Sequence, residues 1–170
     1  MKITSRALQV LLKEAIKSDR IIKERPWSVE HSFQLSGGKA SDSEGEGPDG
    51  FAIVMSSESG PTVKVVVDTY WNPQSGDQSG NSIKIQVDDE VVEQAYVPFR
   101  FDDGKKQLIT ISNAPVLGLL CISHSPTDKS PPVVYAVIEN PFGSDDDLEF
   151  SVENLGDTSA DVQLTNHINL

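Results

Sequence analysis

The order of apolar and polar residues divides the chain into two parts at Pro26. Before it, apolar side chains recur at about 100° per residue, the period of an α-helix, and Ser5 stands where an N-cap is expected. The apolar stripe consists of Leu8, Leu11, Leu12, Ala15 and Ile22. Basic side chains gather on another face, at Arg6, Lys13, Lys17 and Arg20. Since Pro26 cannot continue a helix, residues 1–25 are predicted to form a basic amphipathic helix.

After Pro26 the pattern changes to short runs rich in Val, Ile, Thr and aromatic residues, separated by Gly, Pro, Asp, Asn and Ser. Such runs predict β-strands. The expected strands are 28–35, 51–56, 62–71, 82–87, 91–101, 107–112, 116–123, 133–139, 148–153 and 161–165. Regularly spaced strands without helical patterns between them favour an antiparallel, jelly-roll-like β-sandwich of about 8–10 strands, preceded by the one N-terminal helix. Residues 26–170 are predicted to form this sandwich domain.

Two local patterns refine the prediction. The Asp103-Gly104 pair predicts a tight hairpin between the strands 91–101 and 107–112, because glycine supplies the positive φ that such turns require. The runs 116–122 and 133–138 are apolar on both faces, which predicts a position in the centre of a sheet or beneath the helix.

The net charge of −12 is unevenly distributed along the chain. Residues 1–25 carry seven basic and three acidic side chains, a net of +4, which leaves −16 for residues 26–170. An acidic body repels phosphate, so general nucleic-acid binding is not expected.

The N-terminus lacks a secretory pattern, because Lys13 and Glu14 interrupt its apolar positions. With only one cysteine, Cys121, no internal disulfide can form. These features predict a protein that is cytoplasmic or released without a classical signal peptide. No apolar run approaches the roughly 20 residues that span a bilayer.

Residues that could carry chemistry are few. Cys121 and His124 are the only cysteine and histidine close in sequence, and residues three apart on a strand point to opposite faces. A zinc site would need a second such pair, which the sequence lacks. Neither catalysis nor a cofactor or metal is therefore predicted. Acidic clusters at 42–49, 88–90, 102–103 and 145–147 are interpreted as solvated turns, with calcium binding left open.

Tyr70 and Trp71 stand together at the end of a predicted strand. They are the one place where aromatic side chains could line a loop-end pocket. The alternative is that they close the edge of the core.

The basic helix and acidic sandwich together suggest how the protein acts. A basic arm on an acidic sandwich is similar to jelly-roll subunits of viruses and other particles. This resemblance implies a non-catalytic, self-assembling structural subunit, a homo-oligomer that works through protein–protein contacts with the helix as its docking element. The alternative is a membrane-active protein, since a helix before a β-sandwich is similar in layout to pore-forming proteins of the actinoporin type. Because Glu14, Asp19 and Glu24 dilute the positive face, a protein partner is expected before a membrane.

Overall fold

The computed structural model describes residues 26–35, 50–70, 80–115, 117–127, 130–143, 148–155 and 161–169, the last of these through the backbone only. The predicted helix in residues 1–25, with all of its proposed docking residues, lies outside these ranges. Trp71 lies outside them as well. The described residues contain no helix with the length and hydropathy of a membrane span.

Ten β-strands make up the regular structure of the described residues. They are β1 (Trp27–Gln34), β2 (Gly50–Ser56), β3 (Val63–Asp68), β4 (Ser82–Val87), β5 (Glu90–Tyr96), β6 (Lys106–Ala114), β7 (Leu119–Ser125), β8 (Val133–Glu139), β9 (Glu149–Asn154) and β10 (Asp161–Asn169). Sheet 1 has the order β10-β1-β6-β7-β8, and sheet 2 has the order β5-β4-β3-β2-β9. All neighbouring strands are antiparallel. The predicted antiparallel β-sandwich is therefore confirmed, while its jelly-roll-like detail and the domain boundary after residue 25 stay predictions.

Alternation along the strands places the core between the two sheets. In β2, the side chains of Phe51, Ile53 and Met55 are fully buried and belong to one cluster. In β6, Ile109 and Ile111 are also fully buried in this cluster, whereas Leu108 and Thr110, which alternate with them, are only half-buried. A period of two residues sends alternate side chains to opposite faces, which is why the polar and apolar positions separate in this way.

The predicted hairpin around Gly104 is wrong. The strand β5 ends at Tyr96 and lies in sheet 2, whereas β6 lies in sheet 1, so residues 97–105 cross from one sheet to the other. Pro98 has no N–H to donate to a strand ladder, which explains why β5 stops before it. Gly104 does have the positive φ that was predicted, +75°.

The tight hairpin lies instead between β4 and β5. Asp88 and Asp89 both have positive φ, 50° and 68°, as the two central residues of a type I′ turn require. A carboxylate oxygen of Asp88 accepts a hydrogen bond from the Thr62 N–H at 2.9 Å. Aspartate tolerates this backbone conformation better than most residues, so the acidic pair has a structural purpose here.

The two strands that were predicted to lie in the centre of a sheet or beneath the helix differ in position. β7 lies between β6 and β8, as its apolar faces predict, whereas β8 is at the edge of sheet 1 among the described strands. Strand β3 also ends at Asp68, three residues before its predicted end. This early end places Asp68 and Tyr70 at the end of the sheet.

Candidate functional site

One end of the sandwich, called here the loop end, is where the odd-numbered strands finish and the even-numbered strands begin. Hydrogen bonds from the loop 97–105 reach both sheets there. The Gly104 N–H donates to the Leu35 carbonyl at 2.9 Å, and the Phe101 N–H donates to the Asn81 side-chain oxygen at 3.1 Å. The loop 97–105 is thereby held against both sheets.

Buried polar side chains concentrate at this end. Of the twelve buried polar or charged residues in the described chain, seven belong to it: Asp68, Thr69, Ser82, Asp102, Gln107, His124 and Ser125. Burying a polar group is costly unless it is hydrogen-bonded, so such a concentration is more than the fold alone requires. It marks the loop end as the candidate functional site.

Asp68 is the last residue of β3 and the centre of the sheet 2 part of the site. One of its carboxylate oxygens accepts a hydrogen bond from the Tyr70 N–H at 3.0 Å. The other lies 2.6 Å from the ammonium of Lys84 on the neighbouring strand β4. The first contact is an Asx-type turn, which redirects the chain after Asp68 and ends the strand. The half-buried Tyr70 is thereby placed at the loop end.

Gly50 fixes the position of Asp68 from the other side. The two residues are opposite each other in the pairing of β2 with β3. Gly50 has a φ of +102°, and a Cβ there would lie 1.9 Å from the Val67 carbonyl oxygen. Only glycine allows the backbones to approach this closely.

The loop 97–105 contributes a second ion pair. The Arg100 guanidinium donates two hydrogen bonds to the carboxylate of Asp102, at 2.9 and 2.8 Å. This bidentate geometry is strong and directional. Because the Asp102 side chain is only 4% exposed, the pair fixes the conformation of the loop.

Gln107 links that loop to His124. Its amide nitrogen donates to the Arg100 carbonyl at 2.8 Å and to an Asp103 carboxylate oxygen at 3.1 Å. Burial alone would raise the pKa of Asp103, but hydrogen bonds from Lys105 and Gln107 lower it overall. The amide oxygen of Gln107 lies 2.7 Å from His124 Nε2.

His124 is fully buried and neutral at physiological pH. Since the Gln107 oxygen can only accept, His124 Nε2 carries the proton and donates it. Nδ1 has no hydrogen-bond partner among the described residues. The ring packs against aromatic side chains, namely Phe33, Phe99, Phe101 and Tyr135. Burial lowers the pKa of His124 to about 4, and the nearby Asp103 charge opposes that effect.

The structure places Cys121 and His124 apart, as their spacing predicts. Leu120, Ile122 and His124 are fully buried on the core side of β7, and Cys121 alternates with them. The two side chains therefore cannot share a metal ion or a proton. Burial also raises the pKa of the Cys121 thiol to about 11, so that the reactive thiolate is scarce at neutral pH.

Cys121 is accordingly expected to react slowly with iodoacetamide. The folded protein should be alkylated at least about tenfold more slowly than the urea-unfolded chain, because only the thiolate is nucleophilic and burial blocks access. Mass spectrometry over time measures both rates on the same preparation. Equal rates would contradict a buried, protonated thiol.

Sequence reasoning found only part of this site. It singled out Tyr70, which does lie at the loop end. It missed Lys84 and Arg100, because no local pattern says which carboxylate a lysine or arginine will meet in the folded chain. The loop-end pocket predicted for Tyr70 and Trp71 stays a prediction, since Trp71 is outside the described residues.

The fold, compared with solved structures, resembles that of lectins. No protein-family model and no curated protein matches the chain. The Ca²⁺- and Man3GlcNAc-bound lumenal domain of VIP36 is 14% identical, with a TM-score of 0.58 over 83% of this chain and 67% of that one. Lectin I from Ulex europaeus, in complex with a methyl glycoside of α-L-fucose, is 13% identical, with a TM-score of 0.56 over 81% of this chain and 67% of the lectin. Peanut lectin is 15% identical, with a TM-score of 0.54 over 76% of this chain and 63% of the lectin.

These similarities establish the fold. The chain spans about two thirds of the length of the solved structures it resembles, between 63% and 67% for the three named. Two of the three carry sugars, and the prediction that the protein is not an enzyme agrees with them.

The predicted function as a self-assembling structural or particle subunit is wrong, and so is its pore-forming alternative. The three solved chains named above, which share the fold, are two lectins and a sugar-bound lumenal domain. The prediction failed because a basic segment beside an acidic sandwich is compatible with many functions. The concentration of polar groups at the loop end appears only in the folded chain.

The VIP36 domain holds Ca²⁺ together with its sugar, which raises the question of whether this site fits a metal. Ca²⁺ requires several oxygen ligands at about 2.3–2.6 Å. Nowhere in the described ranges do three His, Cys, Asp or Glu side chains group closely enough to hold a metal ion. Asp68, the carboxylate at the centre of the site, is already paired with Lys84. The described residues therefore do not fit a Ca²⁺ site.

Proposed function

We propose that this protein is a lectin-like carbohydrate-binding module that binds a neutral sugar at the loop end of its sandwich. The observation that carries the proposal is the cluster of buried, hydrogen-bonded polar groups around Asp68 and Asn81, in a fold that lectins share. Sugar sites need such preorganised groups, because a sugar presents hydroxyls that both donate and accept hydrogen bonds.

Tyr70 supplies the second element that a sugar site requires. One face of a pyranose ring exposes C–H groups and packs on an aromatic ring, while the hydroxyls point to polar neighbours. Tyr70 is half-buried, next to the Asp68 carboxylate that accepts its N–H. This combination of an aromatic face and fixed polar groups suits a single sugar unit at the end of a glycan.

Charge favours a neutral sugar over an anionic one. The chain has 26 acidic and 14 basic residues. The two basic side chains at the centre of the site, Lys84 and Arg100, are each paired with a carboxylate. A sulfated or otherwise polyanionic glycan would therefore meet a repulsive field without a dedicated cationic pocket.

Removal of the Tyr70 ring is expected to weaken neutral-glycan binding. Tyr70→Ala should raise the Kd by at least about tenfold, which corresponds to about 1.4 kcal/mol of lost aromatic packing. A glycan array with neutral and sulfated sugars identifies the ligand, and titration calorimetry then gives the Kd.

The matched control is Leu117→Ala, which truncates a partly exposed apolar side chain in the β6–β7 turn at the opposite end of the sandwich. This variant should bind like the wild type. Failure of the folded wild type to bind any neutral glycan would refute the proposal, as would an unchanged Kd for Tyr70→Ala.

A further inference from the structure

The ion pair between Asp68 and Lys84 points to how the loop end is held together. The Lys84 ammonium lies 2.6 Å from one carboxylate oxygen of Asp68, and the Tyr70 N–H occupies the other at 3.0 Å. Both side chains are largely buried, with 12% of Asp68 and 19% of Lys84 exposed. Both carboxylate oxygens thus have donors from the chain itself.

Strand pairing places Lys84 where it meets this carboxylate. Lys84 is opposite Val66, and Ser82 is opposite Asp68, so Lys84 and Asp68 are diagonal neighbours on the same face of sheet 2. Long side chains reach such diagonal partners. The ammonium is therefore delivered by two regular strands, not by a loop.

A divalent cation at the same carboxylate would have to displace the ammonium or lie beside it. Like charges at such distances repel strongly where water is largely excluded. The second ion pair of the site behaves similarly, because Arg100 occupies the buried carboxylate of Asp102 with two hydrogen bonds. The two buried carboxylates of the described loop end are thus both neutralised by basic residues of this chain.

We propose that the Lys84 ammonium is the permanent counter-cation of Asp68, so that the loop end is organised, and its sugar bound, without a divalent cation. The sugar part rests on the function proposed above, whereas the cation part does not. Lys84 acts here as a positioning residue, since it holds Asp68 and, through it, the turn that places Tyr70.

The test uses the full chain and first measures stability without any sugar. The Tm of the wild type should be the same in EDTA and in millimolar CaCl2, and calorimetry should detect no Ca²⁺ binding. Saturating Ca²⁺ at a specific site would instead raise the Tm by several degrees, about 2–4 °C for each kcal/mol. Such a rise would overturn the inference.

Lys84→Met removes the charge while it keeps an apolar stem, and its Tm should fall by roughly 4 °C or more. The Tm of Lys84→Arg, which keeps the charge, should fall by less. The matched control is Lys64→Met, because the partners of Lys64 among the described residues are the exposed carboxylates of Asp89 and Glu153, at 3.2 and 3.5 Å. Equal, small decreases in Tm for Lys84→Met and Lys64→Met would overturn the inference. Should Lys84→Met fail to fold, Lys84→Arg and the wild-type Ca²⁺ measurements still decide.

Sugar binding is measured last, with the best neutral glycan from the array, in EDTA and in CaCl2. Equal Kd values are expected. Binding only in CaCl2 would overturn the present inference and leave the proposed function standing. No binding in either buffer would refute the proposed function, while the Tm measurements would still decide whether Lys84 replaces a divalent cation.

Discussion

Replacing Gly50 with alanine is expected to destabilise the protein by roughly 3 kcal/mol and to disturb the loop end specifically. The new Cβ would lie 1.9 Å from the carbonyl oxygen of Val67, a backbone atom that cannot rotate away. The φ of +102° adds the strain of a conformation that L-residues avoid. Relief of the clash must push β2 away from β3 at the point where Asp68 is paired.

Urea unfolding of wild type and variant measures this loss. Gly104→Ala is the matched control, because Gly104 also has positive φ, +75°, but a Cβ there meets nothing within 4 Å. The free energy of unfolding of this control should fall by only about 1 kcal/mol, which is the cost of the strained backbone conformation. Similar losses for the two variants would mean that the close approach of the strands at Gly50 contributes nothing.

The position of Gly50 predicts a second effect. Its carbonyl accepts a hydrogen bond from the Leu155 N–H at 3.0 Å, so displacement of β2 also disturbs the end of β9. Amide hydrogen exchange should therefore accelerate in residues 50–52, 67–70 and 154–155 of Gly50→Ala. Exchange in β7 should change less than in these segments.

Acidification is expected to destabilise the protein through His124 by up to roughly 3 kcal/mol. In the unfolded chain its pKa is near the ordinary 6.5, whereas burial lowers it to about 4 in the fold. Above pH 6.5 the imidazole is neutral in both states, and its full contribution to stability is present. Between pH 6.5 and 4 the unfolded chain binds the extra proton and the folded chain does not, so stability falls as the pH falls.

The physical reason is the tautomer of His124. Its Nε2 proton is donated to Gln107, and the acid form would place a second proton on Nδ1, for which no acceptor lies among the described residues. The ring is enclosed by aromatic side chains such as Phe33 and Phe101, which cannot solvate a charge. The charge of Asp103 favours the protonated imidazole, but it only partly offsets the effect of burial on the pKa of His124.

Urea unfolding at a series of pH values, for wild type and His124→Phe, tests this expectation. The difference between the two curves isolates His124, because the carboxylates are common to both proteins. The wild type should lose stability relative to the variant between pH 6.5 and 4. A constant difference across that window would show that His124 does not titrate as its burial requires.

Strand positions were the part of the fold that local sequence predicted well. The run 82–87 alternates polar and apolar residues, and the run 51–56 is almost entirely apolar. The strands β4 and β2 occupy almost the same positions as these two runs. The hairpin at Gly104 failed for a physical reason, since a positive φ allows a turn but does not decide which sheet the next strand joins. Sheet membership depends on how two distant surfaces pack, and no short segment contains that information.

The candidate site, like the fold, was predicted from the sequence only in part. The sequence by itself determined the strands, the acidic charge, the opposite faces of Cys121 and His124, and an aromatic residue, Tyr70, at a strand end. Only the tertiary structure decided that Lys84 meets Asp68, that Arg100 meets Asp102 and that Gln107 meets His124. The first and third of these contacts join residues 16 and 17 positions apart on different strands, and the second lies within one loop. Their geometry depends on strand register and on the crossover between sheets. Register is a cooperative property of the whole sandwich, because a slip of one residue would turn every side chain of a strand to the other face.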